Sequence, residues 1–225
     1  MPVTWKRRES WVAVFDILGF AKLVETAEHD FPRALLTSKL DDLLDSLGSE
    51  EQQLGGLEHL VFSDTIVIFS PSSGPPHYPW FLRQCKNLIM ESIRVRLPLR
   101  GAISVGITFS AEEDPIVIGA PFSEAFGYCE DQDWIGLLLT PSATRALRTA
   151  GLDPRNHHFV TGQIPLRRLP AANVLAYRFQ DGASNFESPL LPWLREMRQF
   201  APDHAKKKYD NTITHINDHY RLTDG

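Results

Sequence analysis

Two apolar segments of this chain are each interrupted by one aspartate. Asp16 lies within residues 14–20, and Asp64 lies within residues 61–68. Both segments have the composition of a buried strand, where an unpaired carboxylate costs several kcal/mol because it loses its hydration. Two such aspartates call for a common explanation. The simplest is a divalent cation between them, because Mg²⁺ binds through one or two carboxylates plus substrate phosphates.

The pattern of apolar residues predicts the order of the elements. Periods of two and of three to four residues indicate strands and helices respectively. The predicted elements are a strand at 11–18, a helix at about 31–47, strands at 57–62 and 65–70, a helix at about 78–96 and a strand at 99–109. This β-α-β-β-α-β order is that of the ferredoxin-like, split βαβ fold. We therefore expect an α+β domain in which the first strand lies beside the hairpin that carries Asp64.

Further elements follow this unit. They are a strand at 116–118, a helix at 120–130, a strand at 135–139, a helix at 141–149, a strand at 173–179 and a helical tail from about 189. The chain shows no internal repeat and no low-complexity linker. We expect one domain over residues 1–225, with a core at about 11–180 and a helical tail at about 189–220.

Composition excludes several classes of protein. The net charge of -5 argues against a nucleic-acid binder, which would carry a basic surface. No apolar run is long enough to span a bilayer, and no signal peptide precedes the first strand. The two cysteines, Cys85 and Cys129, imply no disulfide framework and are expected to pack in the interior. We expect a cytoplasmic protein without a nucleic-acid or membrane partner.

The segment from Asp16 to Phe20 resembles the Asp-Ile-x-Gly-Phe signature of the class III nucleotidyl cyclases. The Ser63-Asp64 turn is similar to the Gly-Asp turn of that family, and residues 99–106 are similar to the strand after its second helix. The resemblance covers roughly residues 11–140. It is greatest to the bacterial pyrimidine cyclases of the Pycsar antiphage systems, which share the first segment, the Ser-Asp-Thr turn and the Arg-Gly-Ala-Ile-Ser strand.

The resemblance implies a metal-dependent site. Asp16 and Asp64 would hold two Mg²⁺ or Mn²⁺ ions, and the carbonyl of Ile17 would complete one of the two metal sites. The backbone at Phe20, where a helix begins, would contact phosphates. Arg100 is a candidate substrate-binding residue, although a structural ion pair is an equally good interpretation of an arginine on a strand.

Four positions depart from the family pattern. Ser123 stands where the family has an asparagine, and Gly127 where it has the transition-state arginine. Leu60 and Ile116 stand at the two positions that read a purine base. The absence of both purine-reading groups argues for a smaller base. Ser123 is retained as a candidate substrate-binding residue.

The sequence therefore predicts a homodimeric pyrimidine cyclase that converts UTP into cyclic UMP and pyrophosphate, with CTP as the alternative substrate. Each site would combine Asp16 and Asp64 of one subunit with the strand at Leu99 and the helix at Gly119 of the other. The product would serve as a second messenger in antiphage defence. The rivals are a catalytically inactive cyclase-like module that dimerises or senses a nucleotide, and a purine cyclase with an unusual pocket.

The remaining polar motifs favour ordinary surface roles. His157 and His158 are adjacent, so on a strand they would point to opposite faces and are expected on a surface loop. Lys208 belongs to a basic helix face, for which phosphate binding is the minority interpretation. The acidic cluster of Glu130, Asp131 and Asp133 is expected at the surface unless a partner subunit covers it.

Overall fold

The computed structural model describes residues 4–26, 37–43, 57–74, 77–111, 117–179 and 190–220. The strands are β1 Trp5–Ile17, β2 Glu58–Phe62, β3 Thr65–Phe69, β4 Leu99–Ala111, β5 Val117–Gly119, β6 Gly136–Leu139, β7 Phe159–Val160 and β8 Leu175–Tyr177. The helices are α1 Phe20–Thr26, α2 (residues 37–43), α3 Tyr78–Arg94, α4 Ala120–Asp131, α5 Pro141–Thr149, α6 Leu190–Phe200 and α7 Asp203–Tyr220. No described helix combines the length and apolar character needed to cross a bilayer.

All eight strands form one sheet in the order β2-β3-β1-β4-β6-β8-β7, with β5 added to the far end of β4. The strands β2, β3, β1 and β4 pair antiparallel with their neighbours, and β6 is parallel to β4. The β2-β3-β1-β4 order is that of the split βαβ unit, so the predicted α+β class is confirmed. β1 lies between β3 and β4, so the residues at its end have a strand on each side.

The two faces of the sheet bury separate cores. Phe15 and Ile17 of β1 point into the larger core, which α3 covers, whereas Val12 and Val14 point into a smaller core beneath α4. This alternation is what a strand buried on both faces requires. A Cβ atom at Gly101 of β4 would lie 2.4 Å from Cδ1 of Phe15, so the larger core needs glycine at that position.

The predicted element order holds, with differences at the ends. β1 begins at Trp5 instead of residue 11, because its polar first half pairs with the far half of β4, from Trp5 opposite Ala111 onwards. Those residues are mostly exposed and carry no hydrophobic signal. The tail forms two helices, α6 and α7. Of the predicted helix at 31–47, the described residues 37–43 are helical, and Ile116 lies outside the described residues.

Candidate active site

The two aspartates come together where β1 ends. Asp16 lies opposite Thr65, the first residue of β3, so the turn that precedes β3 borders the end of β1. The main-chain N–H of Ile17 donates to the carbonyl of Asp64 at 2.9 Å. Ser63 adopts a left-handed conformation with φ of 56°, which allows the two-residue turn between β2 and β3. The expected proximity of the two strand positions is confirmed.

Arg100 is the third member of this cluster. It lies opposite Asp16 on the other neighbouring strand, β4, and its Nε donates to Oδ2 of Asp16 at 2.7 Å. Its Nη1 donates to the carbonyls of Glu130 at 2.7 Å and of Gln132 at 3.1 Å. The side chains of Arg100 and Asp16 are only 13% and 20% exposed, so this ion pair is partly desolvated. Within one chain Arg100 is therefore the ion-pair partner of Asp16, as one of the two interpretations of this arginine expected.

The pKa of Asp16 lies above its ordinary value. Burial is the largest cause, the Arg100 guanidinium lowers the pKa, and the charges of Asp64 and Glu130 raise it again. Desolvation thus outweighs the ion pair. A carboxylate in this state gains from an additional cation nearby.

Gln132 supplies one of the two carbonyls that Arg100 uses, and its side chain anchors this segment. Its side-chain amide donates to the carbonyls of Gly101 at 2.9 Å and Tyr128 at 3.1 Å, and its oxygen accepts from Nε1 of Trp134 at 2.6 Å. The residue is fully buried, so all of its side-chain polar atoms are satisfied inside the protein. The sequence analysis missed Gln132. Its only signal is its place between two aspartates just before an apolar strand.

One member of the acidic cluster next to Gln132 is buried. Asp131 is fully buried, and its Oδ2 accepts the main-chain N–H groups of Arg168 and Leu169 at 2.8 Å each. The surface interpretation of Asp131 is therefore wrong, because a following loop supplies donors that the sequence pattern does not reveal. Asp133 accepts from Nζ of Lys208 at 3.0 Å. Lys208 thus has a structural partner on the tail side of the site.

Other predicted features lie as expected. Both cysteines are buried and free. His157 ends a short 3-10 helix, and His158 follows it in a left-handed conformation directly before β7, so neither lies within a strand, and both are half-buried.

Phe20 begins α1 immediately after the Asp16 strand. Gly19, with φ of +77°, makes the turn that a residue with a Cβ atom would resist. The N–H of Leu18 donates to the carbonyl of Pro98 at 2.9 Å, which fixes the exit of β1 against the start of β4. The Phe20 side chain packs partly buried against the larger core. It therefore has a structural role next to the site.

Ser123 lies apart from this cluster. It is exposed in the first turn of α4, whereas Arg100 contacts the last turn of α4 at Glu130. Seven residues of helix separate the two by roughly 10 Å along the axis. Gly127, midway along α4, faces Leu169. The structure thus joins Asp16, Asp64 and Arg100 within one chain and leaves Ser123 outside that group.

The oxygen donors fit a hard divalent cation. Asp16 and Asp64 supply two carboxylates, with the backbone of Ile17 between them. In the described part of the chain, no cluster of three or more His, Cys, Asp or Glu side chains forms a complete metal cage. Mg²⁺ typically binds through one or two carboxylates and keeps water and substrate phosphates as its other ligands.

Several apolar side chains near the site are exposed. Every residue of β2 is exposed, and Phe62 is 83% exposed. Leu60 and Phe62 belong to the same sheet face as Val14, since Leu60 lies opposite Val67 and Val67 opposite Val14. Phe126 on α4 is 46% exposed and borders that face.

Comparison with solved structures finds nucleotide cyclase domains. The adenylyl cyclase CyaB from P. aeruginosa matches with a TM-score of 0.57 at 17% identity, over 82% of this chain and 100% of CyaB. The catalytic core of a rhodopsin-guanylyl cyclase with converted specificity, in complex with ATPαS, matches with a TM-score of 0.54 at 15% identity, over 77% and 96% of the two chains.

A dimeric guanylyl cyclase domain from the aquatic fungus Blastocladiella emersonii matches with a TM-score of 0.51 at 14% identity, over 78% of this chain and 96% of that domain. No family model and no curated protein sequence matches this chain. The chain thus has the fold of a class III nucleotidyl cyclase catalytic domain, and it spans nearly the full length of the domains it resembles.

Proposed function

We propose that this protein is a pyrimidine nucleotide cyclase that converts UTP into 3′,5′-cyclic UMP and pyrophosphate. The ribose 3′-oxygen attacks the α-phosphorus, its proton leaves, and the bond to the pyrophosphate oxygen breaks. The observation that carries this proposal is the meeting of Asp16 and Asp64 beside Arg100 on a cyclase fold. A structural relic would have no need for two such carboxylates at neighbouring strand ends.

The acidic residues and the arginine would have different roles in the reaction. Asp16, Asp64 and the carbonyl of Ile17 would hold two Mg²⁺ or Mn²⁺ ions. Such ions lower the pKa of the 3′-hydroxyl and neutralise the leaving pyrophosphate. Arg100 would supply a positive charge for the triphosphate, and the backbone at Phe20, where α1 begins, would contact the phosphates. Positioning and electrostatic stabilisation are what a phosphoryl substitution needs from a protein.

Base selection rests on apolar groups. Leu60 is 37% exposed on β2 and stands where a purine-reading lysine would. A purine would leave its polar edge without a partner there, and unpaired polar edges are costly. CTP is the alternative substrate, because no described residue separates the two pyrimidines.

A homodimer with composite sites explains the separation of Ser123 from the aspartates. Ser123 of one subunit would face the Asp16 cluster of the other, and the apolar residues Leu60, Phe62 and Phe126 would be covered on association. Two equivalent sites follow from a two-fold axis. The resemblance to antiphage cyclases adds a cytoplasmic second-messenger role, with a separate effector that reads the cyclic nucleotide.

One specific observation favours a second candidate, an inactive cyclase-like module. Gly127 removes the arginine that would stabilise the transition state, and Arg100 is already paired with Asp16. Such a module would bind a nucleotide or dimerise without turnover. A purine cyclase is the third candidate and predicts a different substrate order.

Product analysis separates these candidates. Purified protein is incubated with Mn²⁺ and each of the four nucleoside triphosphates, and the products are identified by mass spectrometry. We expect turnover of UTP or CTP to exceed that of ATP and GTP at least about tenfold, which corresponds to roughly 1.4 kcal/mol in transition-state binding. Preferential turnover of ATP or GTP would favour the purine cyclase. The absence of product from all four would favour the inactive module.

A further inference from the structure

The Arg100 guanidinium occupies the place that a cation would take at Asp16. It bonds one carboxylate oxygen, Oδ2, at 2.7 Å, and it is anchored on its other side by the carbonyls of Glu130 and Gln132. Three acceptors from β1 and from the end of α4 thus share one cation. The Gln132 end of this segment is anchored, since its buried side chain donates to the carbonyls of Gly101 and Tyr128.

This ion pair works against a metal ion at the same carboxylate. A dication that shares Asp16 with Arg100 meets like-charge repulsion at short range in a partly desolvated place. A dication that replaces Arg100 must break a charge-assisted hydrogen bond. Either route lowers the affinity of the metal-free subunit for a bare metal ion.

We propose that Arg100 is a built-in counter-ion of Asp16 that a divalent cation must displace, so that metal entry and the transfer of Arg100 to the triphosphate are coupled. This inference rests on the proposed function for the identity of the triphosphate. Only the bond from Nε to Asp16 has to break, because Nη1 can keep its two carbonyls while the guanidinium turns. The nucleotide compensates the guanidinium for the lost carboxylate, and a metal ion alone does not.

The coupling gives the Asp16 carboxylate a positive partner in each state. Without ligand, Arg100 offsets the charge of Asp16. With metal and nucleotide, the metal offsets the aspartates and Arg100 offsets phosphate oxygens. The ion pair between Arg100 and Asp16 therefore disfavours binding of a metal ion alone, and it favours binding of the metal–nucleotide complex as one unit.

Titration calorimetry with Mn²⁺ alone, without nucleotide, tests the proposal. Arg100→Gln removes the competing charge and keeps a polar side chain of similar length. We expect this variant to bind Mn²⁺ about tenfold more tightly than the wild type, or roughly 1.4 kcal/mol, because the metal no longer competes with a charge-assisted hydrogen bond.

Arg167→Gln is the matched control. Arg167 also donates its guanidinium to the carbonyl of Glu130, but it has no bond to Asp16 and is exposed. Its Mn²⁺ affinity should equal that of the wild type. Arg100→Lys keeps the positive charge and should stay within about threefold of the wild type. Thermal melting of each variant establishes that it is folded.

Two outcomes would overturn the proposal. One is a folded Arg100→Gln protein that binds Mn²⁺ no more tightly than the wild type, or does not bind it at all. The other is an equal gain in Arg167→Gln. This test is separate from that of the proposed function. If the wild type turns over a nucleotide but Arg100→Gln shows no increase in Mn²⁺ affinity, only the coupling is rejected. If the Mn²⁺ affinity increases but no nucleotide is turned over, only the cyclase activity is rejected.

Discussion

The hydroxyl of Thr212 bridges both main-chain groups of Ile135. Its Oγ1 accepts the Ile135 N–H at 2.8 Å and lies 2.9 Å from the Ile135 carbonyl, and the residue is fully buried. Ile135 directly precedes β6, so this contact attaches α7 to the start of that strand. Lys208, one turn earlier on α7, pairs with Asp133. The tail helix thus holds the segment that supplies carbonyls to Arg100.

Replacing Thr212 with valine should lower the free energy of unfolding by about 1–3 kcal/mol, because a buried main-chain N–H loses its acceptor. Urea denaturation measures this change. Thr214→Val, on the exposed side of the same helix, is the control and should stay within about 0.5 kcal/mol of the wild type. Equal effects at both positions would show that α7 contributes through helix propensity alone.

Asp16→Asn and Asp64→Asn should each reduce turnover at least about a hundredfold, since each removes a metal-binding charge. The Asp16 change should not destabilise the metal-free protein near neutral pH. Burial raises the pKa of Asp16 despite Arg100, so its ionised form is less favourable in the native than in the unfolded state. Steady-state kinetics and melting in EDTA measure the two effects.

The exposed Asp203 provides the control for this experiment, because Asp203→Asn should leave turnover unchanged. Normal activity in either site variant would contradict the assignment of the two aspartates to the metal site.

Subunit mixing should separate the two halves of the composite site. A dimer of Asp64→Asn with Ser123→Trp subunits retains one intact site, so an equal mixture should recover about a quarter of wild-type activity after random exchange. Asp64→Asn mixed with Arg100→Gln should recover nothing, because both changes fall in the same half-site. Light scattering establishes the dimer. Recovery in the second mixture alone would mean that Arg100 serves the opposite subunit.

Stability should fall below neutral pH because of His215. Burial, then the charge of His219, lower its pKa to about 4, and its Nε2 lies 3.2 Å from the Tyr177 carbonyl. As the pH falls below 6.5, the unfolded chain takes up a proton that the native protein refuses, so unfolding becomes easier until the native pKa is reached. Between about pH 7.5 and pH 5 we expect this residue to cost roughly 2 kcal/mol.

Urea denaturation at the two pH values measures this loss. His215→Gln should show about 2 kcal/mol less pH dependence than the wild type. Identical pH profiles for the two proteins would contradict the assignment to His215.

The aspartate pair could be predicted because both carboxylates interrupt apolar strands, and burial is what makes such an interruption informative. An ion pair of Arg100 was one of two interpretations, but its partner could not be predicted. Its pairing with Asp16 depends on the register of β1 against β4, two strands whose contacting residues are 84 positions apart. A local pattern gives the faces of a strand but not which residue lies opposite on a distant strand.

The same limit explains the errors at the acidic cluster and at β1. Asp131 has the sequence context of a surface residue, and only the loop at Arg168 and Leu169 reveals that its carboxylate is fully bonded. The first half of β1 is polar and was not expected to be a strand. It is one because a long partner, β4, continues alongside it, so tertiary pairing overrides the weak local signal.

The long pairing of β1 with β4 also has a consequence for biosynthesis. β1, residues Trp5 to Ile17, can pair with β4 only after Leu99 to Ala111 have been synthesised. Arg100 then needs the carbonyls of Glu130 and Gln132, which follow later in the chain. Contacts of such sequence separation form slowly because a long loop closes first. A nascent chain that has released fewer than a hundred residues therefore presents Asp16 without its arginine, and the set of contacts around Arg100 is complete only after α4 and Gln132 have left the ribosome.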